Sequence, residues 1–296
     1  MRQVFTIPLR NGAVIELGRR TVVVGVLNVT PDSFSDGGRF FDSRRAIDRA
    51  IEIEDEGADI LEIGGESTRP GAELISTDEE KRRVMPILDA IAGRIRIPVA
   101  IDTTKAEVAR DAIRRGAVIV NDVSALRFDP ELSRIAAEER AVLVLMHMRE
   151  TPAVMQRIEP SSDIFSEIEL QLSAAIAKAE QSGVSRDRII VDPGIGFGKT
   201  LEQNLRIINR LDWLSTLNLP IMLGSSRKSF IGRLTGRPES ERQFGTAASI
   251  AAVIIRGAHM IRVHDVKEMV EVVRVADAIA NEQGVDSAGV LRYRRE

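Results

Sequence analysis

Polar side chains that could bind a ligand stand at the ends of several short apolar runs in this chain. Asp102 and Asp192 each close such a run, Asn121 is the last residue but one of another, and Asn28 closes the first one. Two carboxylates and an amide form a donor and acceptor set that suits a flat, nitrogen-rich heterocycle. Taken singly, these residues are more typical of turns and helix caps. If the fold brings the run ends together, a binding site becomes the better interpretation.

Cationic side chains follow the last two runs. Lys228 comes after the seventh run together with Ser226, and Arg262 and His264 alternate along the eighth run, so both can point the same way. Arg69, in a long loop after the second run, adds another cation. Cations and hydroxyl groups at this spacing predict an anion site that could hold a diphosphate.

The remaining motifs predict less chemistry. The segment Gly194–Thr200 is rich in glycine, but Pro193 stands where a phosphate-binding loop needs glycine six residues before its lysine. We interpret it as a loop whose backbone can approach a ligand closely. His147 and His259 are predicted to be packed, hydrogen-bonded residues. The chain has no His-Glu-x-x-His motif, so a tightly held catalytic zinc is not expected.

The elements that must position these residues recur in a regular order. Most of the apolar runs are separated by a stretch with helical spacing, and consecutive parallel strands need such crossovers. This predicts an α/β fold, a (β/α)8 TIM barrel, in which functional groups stand at the carboxyl ends of the strands. The eight predicted strands are Thr21–Asn28, Ala58–Gly64, Val99–Asp102, Val118–Asp122, Val142–His147, Ile189–Asp192, Ile221–Ser225 and Met260–His264.

The sequence predicts one domain over residues 1–296, whose other elements are predicted from helical spacing and turn signals. A short N-terminal β-hairpin, about residues 4–17, is predicted to cap the bottom of the barrel, and a tail of about residues 284–296 is predicted to be solvated. The predicted helices are Asp42–Glu56, Thr77–Ala92, Lys105–Arg115, Pro130–Arg140, Ser161–Ser182, Gln203–Leu211, Gly245–Arg256 and Lys267–Gln283. Two long polar loops, Val29–Phe41 and Glu66–Ser76, are interpreted as lids, with plain surface loops as the alternative.

Composition limits the classes of function. The chain has 296 residues, 44% of them hydrophobic, and a formal net charge of −3, which gives no electrostatic case for a nucleic acid or an anionic membrane. It has no cysteine, so disulfides, thiolate nucleophiles and cysteine-ligated metals are excluded. No run reaches the length of a membrane helix, and the N-terminus lacks a signal-peptide core. A cytoplasmic protein is therefore expected.

Five segments together resemble the signatures of the dihydropteroate synthase family, in the family's order. The resemblance extends from about Gly25 to Val266 and is specific, because pterin-binding methyltransferases share the barrel but are not expected to carry both long loop signatures. The segments are Gly25–Gly38, Gly57–Gly71, Asp192–Lys199, Ser226–Ser229 and Arg262–Val266.

The resemblance implies a transferase that joins 6-hydroxymethyl-7,8-dihydropterin diphosphate to 4-aminobenzoate and releases diphosphate. It implies catalytic roles for Arg69, Lys228, Arg262 and His264, with Mg2+ near Asn28. It implies that the pterin lies among Asp102, Asn121, Met146, Asp192, Phe197, Gly224 and Lys228. It implies an aminobenzoate slot formed by Phe34, Thr68, Pro70 and Ser226.

Two other interpretations stay open from the sequence. A pterin-dependent methyltransferase would bind a methylfolate and would not need the cationic diphosphate site. A catalytically silent pterin-binding paralogue would have no reason to retain all of the cationic and polar site residues. The family resemblance also implies a homodimer, with small molecules rather than nucleic acid or membrane as ligands.

Overall fold

The N-terminal segment forms a two-stranded hairpin. The structure is a computed structural model that describes residues 2–30, 39–69, 71–155 and 157–281. Strand β1 (Phe5–Pro8) pairs antiparallel with β2 (Val14–Leu17). Asn11 and Gly12 lie in the turn between them, where Gly12 has a φ of 87°. The predicted hairpin is therefore confirmed.

Eight parallel strands form the sheet that follows. In chain order they are β3 (Val22–Asn28), β4 (Ile60–Gly64), β5 (Val99–Asp102), β6 (Ala117–Asp122), β7 (Val142–Met146), β8 (Ile189–Asp192), β9 (Met222–Leu223) and β10 (Met260–Val263). The order across the sheet is β8-β7-β6-β5-β4-β3-β10-β9. A parallel bridge between Val191 and Ile221 joins the two end strands and closes the sheet into a barrel. The predicted TIM barrel is confirmed.

Helices connect the strands and cover the outside of the barrel. They are α1 (Arg39–Asp55), α2 (Thr77–Ile91), α3 (Ala106–Arg114), α4 (Glu131–Glu138), α5 (Ile164–Gln181), α6 (Leu201–Asn209), α7 (Ser229–Thr235), α8 (Gln243–Ile255) and α9 (Val266–Asn281). No described helix is long and apolar enough to span a membrane. The short α7 was not predicted, because its seven residues are too few to show a helical period.

Side-chain alternation along the strands separates two layers of core. Leu61, Ile101 and Ile261 point outward and pack in the cluster that includes the helices. Their neighbours Ile60 and Met260 point inward, into a cluster that fills the bottom of the barrel. Because successive side chains of a strand face opposite sides, the polar residues two positions after an inward residue also point inward, at the top of the barrel.

The hairpin covers the amino-terminal end of the barrel. Ile7, Leu9 and Leu17 are buried against the inward residues of the barrel strands, including Val22 and Met222. This arrangement confirms the prediction that the hairpin caps the bottom. It covers that end with apolar side chains, so the carboxyl ends of the strands are the end at which a ligand is expected.

The seventh strand differs most from its prediction. Strand β9 ends at Leu223, whereas the predicted run extended to Ser225. The chain turns after Gly224, and Arg227 has a φ of 56°, in the left-handed region that a strand does not use. The early end of β9 places Ser226 and Lys228 in a turn above the barrel rather than in the sheet.

Candidate active site

The predicted polar residues converge at the top of the barrel. Asp102, Asn121, Asp192 and Arg262 each follow an inward-pointing apolar residue by two positions. The first three are buried, and the Arg262 side chain is 18% exposed. Asn121 and Asp192 are 2% exposed. A group of buried polar side chains at the open end of an otherwise apolar barrel costs free energy unless a ligand or a partner satisfies them.

Glu62, in β4, was not selected from the sequence, yet it lies at the centre of this group. Its carboxylate accepts from Arg262 Nε, and Arg262 Nη2 also donates to Asp102 Oδ2 at 2.8 Å. Glu62 is 1% exposed. The signal was present in the sequence, since a single glutamate interrupts the apolar run Ile60–Gly64 at an inward position.

Arg262 is the partly buried cation that these carboxylates hold. Burial alone would lower the pKa of its guanidinium, but the charges of Glu62 and Asp102 reverse this effect and raise the pKa above the ordinary value. Burial raises the pKa of Asp102, and the charge of Arg262 opposes that rise. Arg262 therefore stays protonated, and two negative charges fix its position at the mouth of the barrel.

Asn121 presents an acceptor to the interior of the mouth. Its Nδ2 donates to Glu62 Oε2 at 3.1 Å, and its Oδ1 is buried without a hydrogen-bond partner. A buried amide oxygen without a partner is costly in a folded protein and is typical of a group that a ligand satisfies.

Asp192 supplies a second acceptor across the barrel. Its Oδ1 accepts from the Gly194 amide at 2.6 Å. Burial raises the pKa of this carboxyl group to about 6, while the Gly194 hydrogen bond and the charge of Lys228 act in the opposite direction. The group is therefore mostly ionised at neutral pH and can accept hydrogen bonds from a ligand.

Lys228 lies against an aromatic wall. Its Nζ atom is 4.0 Å from the centroid of the Phe197 ring, and Phe197 packs with Met146 in a small apolar cluster. Burial lowers the pKa of Lys228 to about 8, and the nearby charge of Arg262 acts in the same direction. Gly196 leaves the room for the lysine stem, since a Cβ there would lie 3.3 Å from Lys228 Cδ.

His264 and Ser226 form a hydrogen-bonded pair beside Arg262. The Ser226 hydroxyl accepts from the His264 amide at 3.3 Å and lies 3.0 Å from His264 Nδ1. Burial lowers the pKa of His264 to about 3, and the charge of Arg262 adds to this effect, so the ring is neutral. The serine proton is free to bond Nδ1, and we infer that the ring proton then resides on Nε2 as a donor.

Gly224 lies next to the arginine stem. A Cβ at this position would be 3.5 Å from Arg262 Cβ and 3.6 Å from its Cδ. The absence of a side chain at Gly224 therefore leaves the aliphatic part of Arg262 uncovered on the side of β9.

Arg69 lies apart from these buried groups. Its side chain is 68% exposed, and its guanidinium pairs with Glu239 at 2.9 Å. Thr68 is half-buried in the same loop. Glu239 belongs to a short 3-10 turn between α7 and α8. The predicted site residues Phe34 and Pro70 lie outside the described residues, as do most of the first long loop and the predicted tail.

A buried ion cluster supports the loop that carries Arg69. Lys105 Nζ donates to Glu66 Oε1 at 2.9 Å and to Glu80 Oε2 at 2.6 Å. Glu66 Oε1 also accepts from the Ile75 amide at 2.7 Å, at the far end of the loop. Both ends of this loop are therefore fixed to the barrel, a connection that no local sequence pattern indicated.

The lysine of the glycine-rich loop does not face a ligand. Lys199 Nζ lies 2.9 Å from His147 Nδ1 and donates to the Gly194 and Phe197 carbonyl oxygens at 2.8 and 3.2 Å. Lys199 thus bonds to its own loop and to His147, which is buried and hydrogen-bonded as predicted. His259 is structural too, since its Nδ1 accepts from the Ile221 amide at 3.1 Å.

Comparisons with known proteins agree with this geometry. Residues 24–264 match the family model described as "Pterin binding enzyme". The chain is 46% identical over 277 residues to a dihydropteroate synthase of Synechocystis sp., covering 93% of this chain and 96% of that protein.

Solved structures give the same result. A dihydropteroate synthase of Yersinia pestis, in complex with a sulfonamide drug, superposes with a TM-score of 0.88 at 36% identity, covering 94% of this chain and 100% of the other. One of Xanthomonas albilineans, with 4-aminobenzoic acid, superposes with a TM-score of 0.87 at 38% identity and covers 94% and 98%.

Proposed function

This chain belongs to the dihydropteroate synthase family of pterin-binding enzymes, transferases of folate synthesis, and on that premise we propose how its barrel mouth joins the two substrates. The observation that carries the proposal is the buried, unpartnered Oδ1 of Asn121 beside the acceptors of Asp192. An aminopyrimidine edge offers N–H donors to two such acceptors at once. The pterin ring of 6-hydroxymethyl-7,8-dihydropterin diphosphate fits this requirement.

The wall beside these acceptors suits the rest of the ring. Phe197 and Met146 present apolar surface, and Lys228 places a cation where it can donate to a pterin carbonyl or ring nitrogen. We assign the pterin to this space, bounded by Asp102 and Gly224 on the other side. A few directed polar groups in an apolar pocket fix both the orientation and the identity of a flat ligand.

The diphosphate belongs on the cationic side. Arg262 is held between two carboxylates with its stem along Gly224, and the neutral ring of His264 offers the Nε2 proton. Arg69 would add a third donor when its loop leaves Glu239. Charge-assisted hydrogen bonds to a phosphate oxygen are among the strongest available to a protein.

A Mg2+ ion is proposed at the same edge, near Asn28. Asn28 Oδ1 and Asp102 Oδ2 lie 3.6 and 3.7 Å from the point that a Cβ on Gly64 would occupy, so both oxygens border that gap. The described residues contain no group of three or more His, Asp or Glu side chains able to hold a metal. One amide oxygen and one carboxylate oxygen fit Mg2+, because this ion keeps water and phosphate oxygens as most of its ligands. Bound there, the ion would neutralise charge on the diphosphate.

The proposed reaction is a dissociative substitution. The bond between the exocyclic methylene carbon and the diphosphate oxygen breaks, the electron pair leaves with the diphosphate, and the positive charge spreads into the dihydropterin ring. Arg262, His264 and Arg69 stabilise the leaving group, while Asp102 and Asp192 stabilise the cation. The amine of 4-aminobenzoate then forms the new C–N bond and loses a proton. No protein nucleophile is required.

The aminobenzoate would enter from the loops above the pterin. We assign its slot to Thr68, Pro70, Phe34 and Ser226, of which Ser226 is positioned by its bond to His264. Closure of the two long loops would exclude water, which would otherwise react with the cation. The methyltransferase alternative gains no support, since the similar proteins reported above are synthases.

We further propose that the enzyme is a cytoplasmic homodimer that binds no nucleic acid. Four large apolar side chains on the neighbouring helices α8 and α9 are exposed, with Phe244 88% exposed. The others are Ile255, Val275 and Ile279. Large apolar side chains exposed on two neighbouring helices support the proposal of a contact between subunits.

The test is turnover by the purified protein with dihydropterin diphosphate, 4-aminobenzoate and Mg2+. Diphosphate release and dihydropteroate formation are followed in the same reaction, with a control that lacks 4-aminobenzoate. Equal amounts of both products are expected. Pterin binding without product would contradict the proposal and favour the silent paralogue. Product formation from a methylfolate instead would favour the methyltransferase.

A further inference from the structure

We propose that Glu62 is a positioning residue that fixes which atom of Asn121 faces the substrate and so selects a ligand with an N–H donor at that point. This inference rests on the proposed function. Glu62 is in β4, Asn121 is in β6, and the two side chains meet at the top of the barrel at 3.1 Å.

The chemistry of the contact allows one orientation of the amide. Arg262 donates to Glu62 Oε1 through Nε, so Glu62 is paired with a guanidinium. A carboxylate only accepts hydrogen bonds, so the nitrogen of the Asn121 amide, and not its oxygen, must face Glu62 Oε2. The oxygen is then directed away from Glu62, and it is the atom that is buried without a partner.

This orientation decides the polarity of the pocket. A free asparagine amide can rotate its ends and accept from one ligand or donate to another. With the nitrogen fixed by Glu62, the position offers an acceptor only. A ligand that presents an acceptor there would leave two buried acceptors facing each other, at a cost comparable to that of a lost hydrogen bond.

Glu62 also links the two halves of the site. One oxygen holds Arg262, assigned to the diphosphate, and the other holds Asn121, assigned to the pterin. A purely structural carboxylate would stabilise Arg262 without any consequence for the polarity of Asn121. A positioning role and a purely structural role of Glu62 therefore predict different effects of a second substitution, at Asn121, on pterin binding.

The experiment reverses the hydrogen-bond polarity and then restores it. In Glu62→Gln, the glutamine oxygen must face Arg262 because arginine only donates, so the glutamine nitrogen faces Asn121 and turns the amide. The asparagine nitrogen would then face the ligand. We expect KM for dihydropterin diphosphate to rise at least about tenfold, while KM for 4-aminobenzoate changes less than about twofold, within the scatter of a neutral substitution.

Adding Asn121→Asp should rescue the variant. The introduced carboxylate would accept from the glutamine nitrogen with one oxygen and present the other to the pterin, and the total charge of the site would equal that of the wild type. We expect the double variant to recover to within about threefold of the wild-type KM, a difference under 1 kcal/mol. Asn121→Asp alone should be impaired, because it places two carboxylates against each other.

Controls separate polarity from folding and from the proposed function. Asp277→Asn removes another buried carboxylate paired with an arginine, Arg2, at the opposite end of the barrel, and should lower Tm while leaving KM for the pterin unchanged. If Glu62→Gln alone does not fold, the double variant is compared with Asn121→Asp, which glutamine at position 62 should improve.

The outcomes are distinct. The role of Glu62 is overturned if KM for dihydropterin diphosphate is unchanged in Glu62→Gln. It is also overturned if this KM is no lower in the double variant than in the worse single variant. Absence of turnover by the wild type overturns the proposed function instead.

Discussion

The ammonium group of Lys228 lies 4.0 Å from the centroid of the Phe197 ring. The two residues come from different loops, one after β9 and the other after β8. Phe197 is buried and Lys228 is partly buried. The ring offers the ammonium group a cation–π partner, while burial lowers the pKa of Lys228 to about 8. A pterin bound here would contact the Lys228 ammonium group together with the Phe197 ring.

The contact predicts unequal effects for its two members. Lys228→Ala should lower kcat/KM for dihydropterin diphosphate by at least about 30-fold, because a charged hydrogen-bond donor is lost. Phe197→Leu should lower it by about 3- to 30-fold, the range of a cation–π contact. Steady-state kinetics on both variants check this. Phe128→Leu, which alters another ring of the same apolar cluster, should change the value little; an effect equal to that of Phe197→Leu would contradict the prediction.

The pH dependence should follow Asp192 and Lys228, two of the titrating groups assigned to the pterin site. Asp192, with a pKa of about 6, must be ionised to accept a hydrogen bond, so kcat/KM should rise as pH increases through 6. Lys228, with a pKa of about 8, must be protonated, so kcat/KM should fall as pH increases through 8. A profile from pH 5 to 10 checks both limbs. In Lys228→Arg the alkaline limb should disappear, and an unchanged limb would show that another group titrates.

The exposed pair of Arg69 and Glu239 should matter for catalysis and little for stability. Arg69→Ala should lower kcat/KM for the diphosphate substrate by about 10- to 100-fold through the loss of a charged donor. Its Tm should shift by no more than about 3 °C, since exposed ion pairs contribute under about 1 kcal/mol. Glu239→Gln removes the same pair and serves as the matched control. It should retain or slightly raise activity; a loss as large as that of Arg69→Ala would assign the effect to the ion pair.

The proposed dimer can be tested at its most exposed apolar side chain. Phe244→Glu places a charge on the surface of α8 that we assign to the subunit contact, and burial of that charge would be unfavourable. Analytical ultracentrifugation should show a dimer for the wild type and a monomer for the variant. Leu170→Glu, on an exposed position of α5, is the control and should leave the dimer intact. A monomeric wild type would contradict the proposal.

Local patterns were sufficient for most of the architecture. Two of the predicted strands, Val99–Asp102 and Ile189–Asp192, match the observed strands at both ends, because a buried parallel strand is a continuous apolar run bounded by turn residues. The sequence also selected Asp102, Asn121 and Asp192 as site residues. Their inward direction follows from alternation along each strand, which is a property of a few neighbouring residues.

Contacts between residues far apart in the chain could not be predicted from local sequence patterns. Glu62 and Arg262 are 200 residues apart in the chain, and the bond between them exists because β10 lies beside β3, which pairs with β4. Lys199 occupies a loop that resembles a phosphate-binding segment, yet its ammonium turns toward the carbonyl oxygens of its own loop. No spacing in the sequence distinguishes that conformation from one that faces a ligand.

The sequence by itself determined that eight strands alternate with helices and that their polar ends meet at one mouth, because periodicity and turn chemistry act over a few residues. Only the tertiary structure decided which carboxylate holds which cation, and hence that Asn121 presents an oxygen to the pocket. That decision depends on how the strands are staggered when the barrel closes, which is a property of all eight strands together.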